Sequence, residues 1–482
     1  MEAMSRRTAG LLLALAATTC GGRSPVAAGS SVPCLYAYSV DTTRLPLLHI
    51  QATFDPGGSA DLVIATDLQR AVTHVEVKRG DAWEIVSSER GVWRVPECVA
   101  SCTLRYELAI DRGRGGEDGV ATLGASWLSP TYAWLLHPTP IMKGRFEVAL
   151  SPAPASSSSW SSTPWEGAFR ELGDGKRGFL SGDFAEGSFV GFGKLRARTS
   201  PVPGGEVNTV LLDGKLKMSE ADAARWVDDA AGAVSMLYGH FPVRHATVFL
   251  APIPGATEPV FGRVLSLGGS SVLVLTGEES DGNEMHEDWI LVHELIHLGF
   301  PTFQNEGRWL DEGIATYYEP VLRTRMGWRD KTDLWRGLAR EMPRGLASAG
   351  EPLALEQRTT LDGIYWGGAL FVMMADVRIR EQTRGRKSLD DVLRGVLAKG
   401  GDGEHVWTVA ETMRVGDELT GTHVLTDMYE RYARKGESVD LEAELHALGI
   451  DRAGGKDEIT LHDDRPRASI RNQIVSKDGR TP

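Results

Sequence analysis

The stretch Trp289-Ile290-Leu291-Val292-His293-Glu294-Leu295-Ile296-His297-Leu298-Gly299-Phe300 decides how the rest of the chain is read. It is apolar apart from two histidines and one glutamate, which suits a buried helix over about 287–299. On a helix of 3.6 residues per turn, His293 and His297 fall on one face, so both imidazoles can hold the same metal ion. Glu294 projects beside them. A helix presents two zinc ligands and a general base in this way. The plainer reading of the same residues is a buried helix whose histidines make polar contacts.

A catalytic zinc needs a third protein ligand and an open position. Downstream, Trp309-Leu310-Asp311-Glu312-Gly313-Ile314-Ala315-Thr316-Tyr317-Tyr318-Glu319 begins a second helix with Glu312 in its first turn. The intervening residues 298–311 are enough for a loop and a helix start that return the carboxylate to the metal. Alone, Glu312 would read as a first-turn acid favoured by the helix dipole. Beside the histidine pair it reads as the third ligand, giving one Zn2+ per chain on His293, His297 and Glu312. Glu319 follows two turns later and is placed to orient a ligand histidine from behind. His240, His245 and His286 read as exposed or packing residues.

A third segment narrows the reading: Tyr365-Trp366-Gly367-Gly368-Ala369-Leu370-Phe371, then Asp376 to Gly385 and Ser388-Leu389-Asp390-Asp391-Val392. With the first two, it resembles the gluzincin metallopeptidases, and within them the glycyl aminopeptidase-like family and compact peptidase-like gluzincin domains. The resemblance covers about residues 205–450. It implies a thermolysin-like catalytic domain after a β-sandwich, Glu294 as general base and Tyr365 as partner of the oxyanion. The chain departs from the pattern at Gly367, where the family carries Lys, and in a short gap between His297 and Glu312. Leu267-Gly268-Gly269-Ser270-Ser271-Val272, counterpart of the strand that grips the substrate amine in aminopeptidases, has no acid. Glu279, Glu284 and Glu287 are the nearest replacements.

Outward from the motif, the chain changes character. Between residues 35 and 150, short β-branched or alternating runs (47–54, 60–65, 72–78, 83–86, 103–110, 145–150) alternate with turn signals, as in an antiparallel sandwich. The Ser- and Pro-rich 151–164 reads either as an interdomain linker or as a surface loop of the sandwich. A helix is expected over about 219–238, strands over 245–253 and 270–276, and helices over 308–325, 330–341, 362–382, 388–398 and 421–435. The expected fold is therefore α+β. It comprises a signal segment (1–28), an antiparallel β-sandwich-like domain (30–200), a mainly helical metallopeptidase domain with a small sheet (205–450) and a polar tail (451–482).

The 482 residues carry 52 basic and 65 acidic side chains, a net charge of −13. That field repels phosphate backbones, so no nucleic-acid partner is expected. Arg6 and Arg7 precede an apolar run from Ala9 to Ala17, too short for a membrane span and fit for a secretory signal. Ala17-Thr18-Thr19-Cys20 resembles a bacterial lipobox, with lipidation at Cys20; Val26-Ala27-Ala28 suits ordinary cleavage instead. The expected location is the cell envelope, lipid-anchored, or the medium, with membrane contact only through such an anchor. In an oxidising space Cys34 pairs with Cys98 or Cys102, or those two pair with each other. Two function classes follow: an exported zinc peptidase acting on a peptide or protein, and a noncatalytic envelope module keeping the gluzincin fold as a binding scaffold. An intact Glu294 favours the first.

Overall fold

The computed structural model describes residues 33–113, 120–154, 157–283, 285–303, 307–346, 354–453, 458–477 and 479. Helix takes up about 37% and strand about 31%, an α+β composition. The chain divides into two units, and the division does not follow chain order. One contains residues up to Ser200 together with Val207–Lys217 and His245–Glu279; the other contains Pro201–Glu206, Met218–Arg244 and Ser280 onward.

The first unit is built on two eight-stranded sheets. In one, Leu47–Phe54 lies between Cys34–Asp41 and Cys102–Ala109 in antiparallel register. Cys34–Asp41 then runs parallel to Gly144–Ser151, so the sheet is mixed rather than the purely antiparallel one expected. A parallel pair needs a long crossover, and residues 42–143 supply it. Tyr36, Tyr38, Phe54, Phe146 and Phe179 fill the core with aromatic contacts. The second sheet takes in Phe189–Val202, Gly205–Leu211, His245–Ile253 and Ser271–Gly277, the last two parallel. Ser271–Gly277 is buried throughout, as strands covered on both faces are.

Those strands were expected in the catalytic domain; they belong instead with the β unit. The Ser- and Pro-rich 151–164 also lies within it. Trp165 is buried in the strand Ser161–Gly167 and its Nε1 donates to the Pro152 carbonyl at 2.6 Å, so the segment is part of the sheet structure rather than a linker. Cys98 and Cys102 form a disulfide, and Cys34 is a buried free thiol. Cys20 and Glu284 lie outside the described residues.

The second unit is helical. Ser219 caps its first helix, Glu220–Tyr238, by accepting from Asp222 N, and Gly239 ends it at φ 89°. The histidine motif occupies a short helix, Ile290–Ile296, that tightens into a 3₁₀ turn over His297–Gly299. Both oxygens of Asp288 accept backbone N–H groups at its start, from Ile290 and Leu291, each at 3.1 Å. The Tyr238 hydroxyl donates to the Ile296 carbonyl at 3.0 Å, and a side chain at Gly299 would strike that tyrosine ring.

Two longer helices, Arg308–Arg325 and Leu361–Thr383, pack closely against each other. Their backbones meet where only glycine fits. A Cβ on Gly313 would lie 2.4 Å from the Gly368 carbonyl carbon, and one on Gly368 2.0 Å from the Trp309 carbonyl oxygen. Buried polar groups key the same contact. The Tyr317 hydroxyl donates to Asp376 at 3.3 Å, and Asp376 also accepts from Arg380 Nε and from the Leu389 amide. Tyr318 and Arg325 both donate to Asp390.

Residues expected as a polar tail are structured. Ile450–Ala453 and Glu458–Leu461 form a hairpin, and Ala468–Ile474 a helix with Ile470 and Ile474 buried. Arg325 Nε donates to the Ile474 carbonyl and Arg380 Nη1 to that of Gly479. The helices Val409–Thr420 and Leu441–Ala447 were not anticipated. No helix among the described residues is long and apolar enough to cross a membrane.

Candidate metal centre

His293 and His297 present their Nε2 atoms to the same carboxylate oxygen. Glu312 Oε2 lies 3.2 Å from His293 Nε2 and 3.7 Å from His297 Nε2. The ligand atoms of the three residues all fall within 4.8 Å of one another, the one such group among the described residues. Zinc bonds of about 2.0–2.1 Å at tetrahedral angles put neighbouring ligand atoms roughly 3.4 Å apart, so the spacing and the donor types fit Zn2+. The three expected ligands therefore come together.

The buried acids and imidazoles of the site shift one another strongly. Burial pushes the Glu294 carboxyl up to about 8, with the charges of Glu312, Asp311 and Asp288 adding and His297 opposing. Burial acts against a charge on His297, yet Asp311 and Glu312 outweigh it and hold the imidazole up to about 10. Burial works against the Glu312 carboxylate too; the His293 hydrogen bond and the charge of His297 overcome it and hold the group down to about 2. Burial lowers His293. Three acids thus crowd two imidazoles, a set that a divalent cation neutralises.

Asp311 escaped the sequence reading. Its Oδ1 is 2.7 Å from His297 Nδ1 and accepts that nitrogen's proton, so that in the neutral, metal-binding form of the ring Nε2 carries the lone pair. The available signal was a second acid next to Glu312 in the same helical turn. Glu319, expected to orient a ligand histidine, is turned elsewhere. It is buried, and burial raises it to about 7 against the pull of Arg323. Its Oε1 accepts from Arg323 Nη1 at 2.9 Å, while Arg323 also donates to the carbonyls of His286 and Glu287. Glu319 therefore acts, through Arg323, on the segment entering the motif helix rather than on a ligand histidine.

Tyr365 does reach the site. Its ring stacks on His293 with centroids 6.0 Å apart and planes 10° from parallel, and its hydroxyl interacts electrostatically with Glu312. Burial and the neighbouring carboxylates make the phenol much harder to ionise than usual. Trp289, one turn before His293, meets the His293 ring edge-on at 5.5 Å. Arg308 Nε approaches Glu312 Oε1 at 3.9 Å. His286 stacks on Trp328 and bonds Asp229, a packing role as expected.

In the β unit, the Gly268–Gly269 pair is committed to close backbone contacts. A Cβ on Gly268 would lie 2.5 Å from Gly187, and one on Gly269 2.5 Å from the Ala168 carbonyl oxygen.

No protein-family model matches the chain, and no curated protein matches it in sequence. Solved structures do match. An aminopeptidase N family protein from Idiomarina loihiensis aligns with a TM-score of 0.59 at 12% identity, over 86% of this chain and 78% of that one. The two share a fold. Weaker likenesses, with TM-scores of 0.48 and 0.49, are to an M1 zinc metallopeptidase from Deinococcus radiodurans and to a variant of it bound to a Tyr-Ser-Ala substrate. These are 16% and 17% identical, cover 84% of this chain in each case, and cover 95% and 94% of those chains.

Proposed function

We propose that the chain is a zinc-dependent peptidase of the gluzincin type, with one Zn2+ held by His293, His297 and Glu312. The convergence of three donor atoms on one point, with Glu294 beside them, carries this reading. The fold shared with an aminopeptidase N family protein supports it.

A cation bound there supplies a Lewis acid that polarises a carbonyl and lowers the pKa of water. The chain's own residues supply the proton traffic. Glu294, as its carboxylate, accepts the proton of the attacking water and passes it to the leaving amine, and burial strengthens its affinity for that proton. The Tyr365 hydroxyl donates to the carbonyl oxygen as it gains negative charge. Asp311 stabilises the ligand form of His297 through Nδ1.

By the resemblance alone, 267–272 is the counterpart of the strand that grips a substrate amine, and it has no carboxylate; an unpaired buried charge costs about 3–5 kcal/mol by order of magnitude. Peptides with blocked N-termini are therefore cleaved at least as well as free ones. The signal-like start supports a location outside the cytoplasm, either lipid-anchored at Cys20 or secreted; mass spectrometry of the native N-terminus tests this, and a chain beginning at Gly29 means the soluble secreted form.

The deciding experiment measures bound zinc after dialysis together with hydrolysis of a mixed library of blocked and free peptides. One zinc per chain and cleavage of library members are expected. Stoichiometric zinc in a His293→Ala/His297→Ala double variant overturns the ligand assignment, and an inert zinc-loaded chain overturns the enzymatic one.

A further inference from the structure

Arg308 opens the helix that carries Glu312, one turn ahead of it and so on the same face. Its Nε lies 3.9 Å from Glu312 Oε1, while Oε2 of that carboxylate faces the two imidazoles. A single carboxylate therefore separates the guanidinium from the point where the three ligand residues converge. Arg308 also acts on Tyr365, as a positive charge set against the carboxylates around the phenol. Among the described residues it is the one Lys or Arg paired with a residue of the triad.

Two features separate Arg308 from a side chain that only supports Glu312. The first is its bonding. Arg323 and Arg325, on the same helix, each commit all three guanidinium nitrogens to carbonyls and carboxylates at 2.6–3.3 Å. Arg308 makes no hydrogen bond among the described residues; its contact with Glu312 is too long for one, and 39% of its side chain is exposed. Its donors remain available to a group arriving from solvent. The second is its place. The positive end of a helix disfavours a cation in its first turn, and Asp311, the acid of that turn, is bonded to His297. Helix stability therefore gives no reason for an arginine at this position.

A guanidinium presents a planar fork that matches the two oxygens of a carboxylate. Glu294, Asp311 and Glu312 repel such a group, but a divalent cation in the triad offsets two of those charges and Arg308 the third. Adjacent residues of a peptide are about 3.8 Å apart, so a carboxylate on the residue next to the scissile bond is within reach of a side chain one carboxylate away from the metal ligands.

We propose that Arg308 receives a substrate carboxylate next to the scissile bond, supplied by a free C-terminus or by an acidic side chain. The proposal rests on the peptidase reading for the identity of its ligand. It assigns the chain a preference for an anion, the reverse of the ammonium that an aminopeptidase grips.

The test uses the zinc-loaded chain and two probes, succinic acid monohydroxamate and its carboxamide. Both carry the same metal-binding group, so the ratio of their dissociation constants by calorimetry reports the carboxylate alone. The acid is expected to bind about tenfold tighter or more, as a hydrogen-bonded ion pair does. Arg308→Gln is expected to bring the ratio to within about threefold of one, and Arg308→Lys, which keeps the charge without the fork, to leave it in between. Zinc affinity of each chain is measured by competition with a chelator. A ratio near one in the unsubstituted chain overturns the proposal. So does a ratio that survives in Arg308→Gln, and weaker zinc binding in that variant then assigns Arg308 to holding Glu312.

Hydrolysis by the unsubstituted chain is read separately on three N-acetylated oligoalanines: a C-terminal acid, its amide, and the amide with one Ala replaced by Glu. Preference for the acid puts the carboxylate at the C-terminus, and preference for the Glu peptide puts it on a side chain. Equal cleavage of all three overturns the proposal. A probe ratio that depends on Arg308, without any hydrolysis, sinks the peptidase reading and keeps the carboxylate site; hydrolysis with a ratio of one does the reverse.

Discussion

Asp311 and His297 form a carboxylate–imidazole pair, Oδ1 to Nδ1 at 2.7 Å, while Glu312, the next residue in the same helical turn, faces Nε2 of that ring. Two consecutive acids thus address the two nitrogens of one histidine. Partners of this kind fix the tautomer and raise ligand basicity, and removing one typically costs about 10–100-fold in metal affinity. Asp311→Ala is expected to weaken zinc binding by that range, with the fold retained, as measured by competition with a chelator. Unchanged affinity would leave Asp311 with no role beyond a helix-start acid.

Glu294→Gln is expected to keep zinc and lose hydrolysis by about 10²–10⁴-fold, because an amide cannot accept the proton. Tyr365→Phe is expected to keep zinc and lower kcat by about 10²–10³-fold with a smaller change in KM. Steady-state kinetics with a blocked peptide separates the two. Full turnover in the first variant removes Glu294 from the base role, and a pure KM effect in the second assigns Tyr365 to substrate binding.

The glycine crossing gives a prediction with its own control. Gly313→Ala places a methyl 2.4 Å from backbone, and overpacking of that kind costs about 1–3 kcal/mol. A fall of several degrees in the unfolding midpoint of the helical unit is expected. Gly232 also lies in a helix, but a Cβ there meets nothing within 4 Å. Gly232→Ala should stabilise by up to about 1 kcal/mol from helix propensity alone. Equal effects from the two substitutions, read by thermal unfolding, contradict the crossing geometry.

Glu166 links the β unit to pH. It is buried, accepts from Asn208 Nδ2 at 2.8 Å, and burial raises it from 4.5 to about 7 against its hydrogen bonds. The folded state therefore holds this proton more tightly than the unfolded state does. Stability falls as pH rises from about 4.5 to about 7 and is level above that, with an upper limit of about 3 kcal/mol. Glu166→Gln, which keeps the acceptor for Asn208, should remove this dependence and gain stability at pH 8 but not at pH 4. Denaturant unfolding of both chains at the two pH values checks it; a variant destabilised at pH 8 and not at pH 4 shows instead that the carboxylate is needed in its charged form.

Much of the metal centre was legible because its logic is periodic. His293 and His297 are set by the i, i+4 rule, and Glu312, near the start of the next helix, by the need for a third ligand. Asp311 was not legible, since an acid beside another acid at a helix start already has a reason to be there. Glu319 misled for a related reason. Seven residues put it on the same helix face as Glu312, but Arg323, one turn further, offered a closer partner for a buried carboxylate. In the β unit, individual strands such as Leu47–Phe54 follow from alternation, whereas partners do not. Nothing local in Cys34–Asp41 indicates that it pairs parallel with a strand more than a hundred residues later, or in His245–Ile253 that it rejoins the sheet the chain left earlier.

The bonds from Arg325 to Ile474 and from Arg380 to Gly479 join residues 149 and 99 apart in sequence. Their consequence lies in time rather than in space. The helix bearing Glu312 and the helix bearing Tyr365 emerge during synthesis well before the segment that satisfies their buried guanidinium groups. Until that segment arrives, the charged pairs with Asp390 and Asp376 stand in water or lack part of their hydrogen bonding, a state that favours the open chain. Long-range closures of this kind slow folding. The metal pocket is consequently a late product of maturation, completed for the helical unit as a whole and not helix by helix.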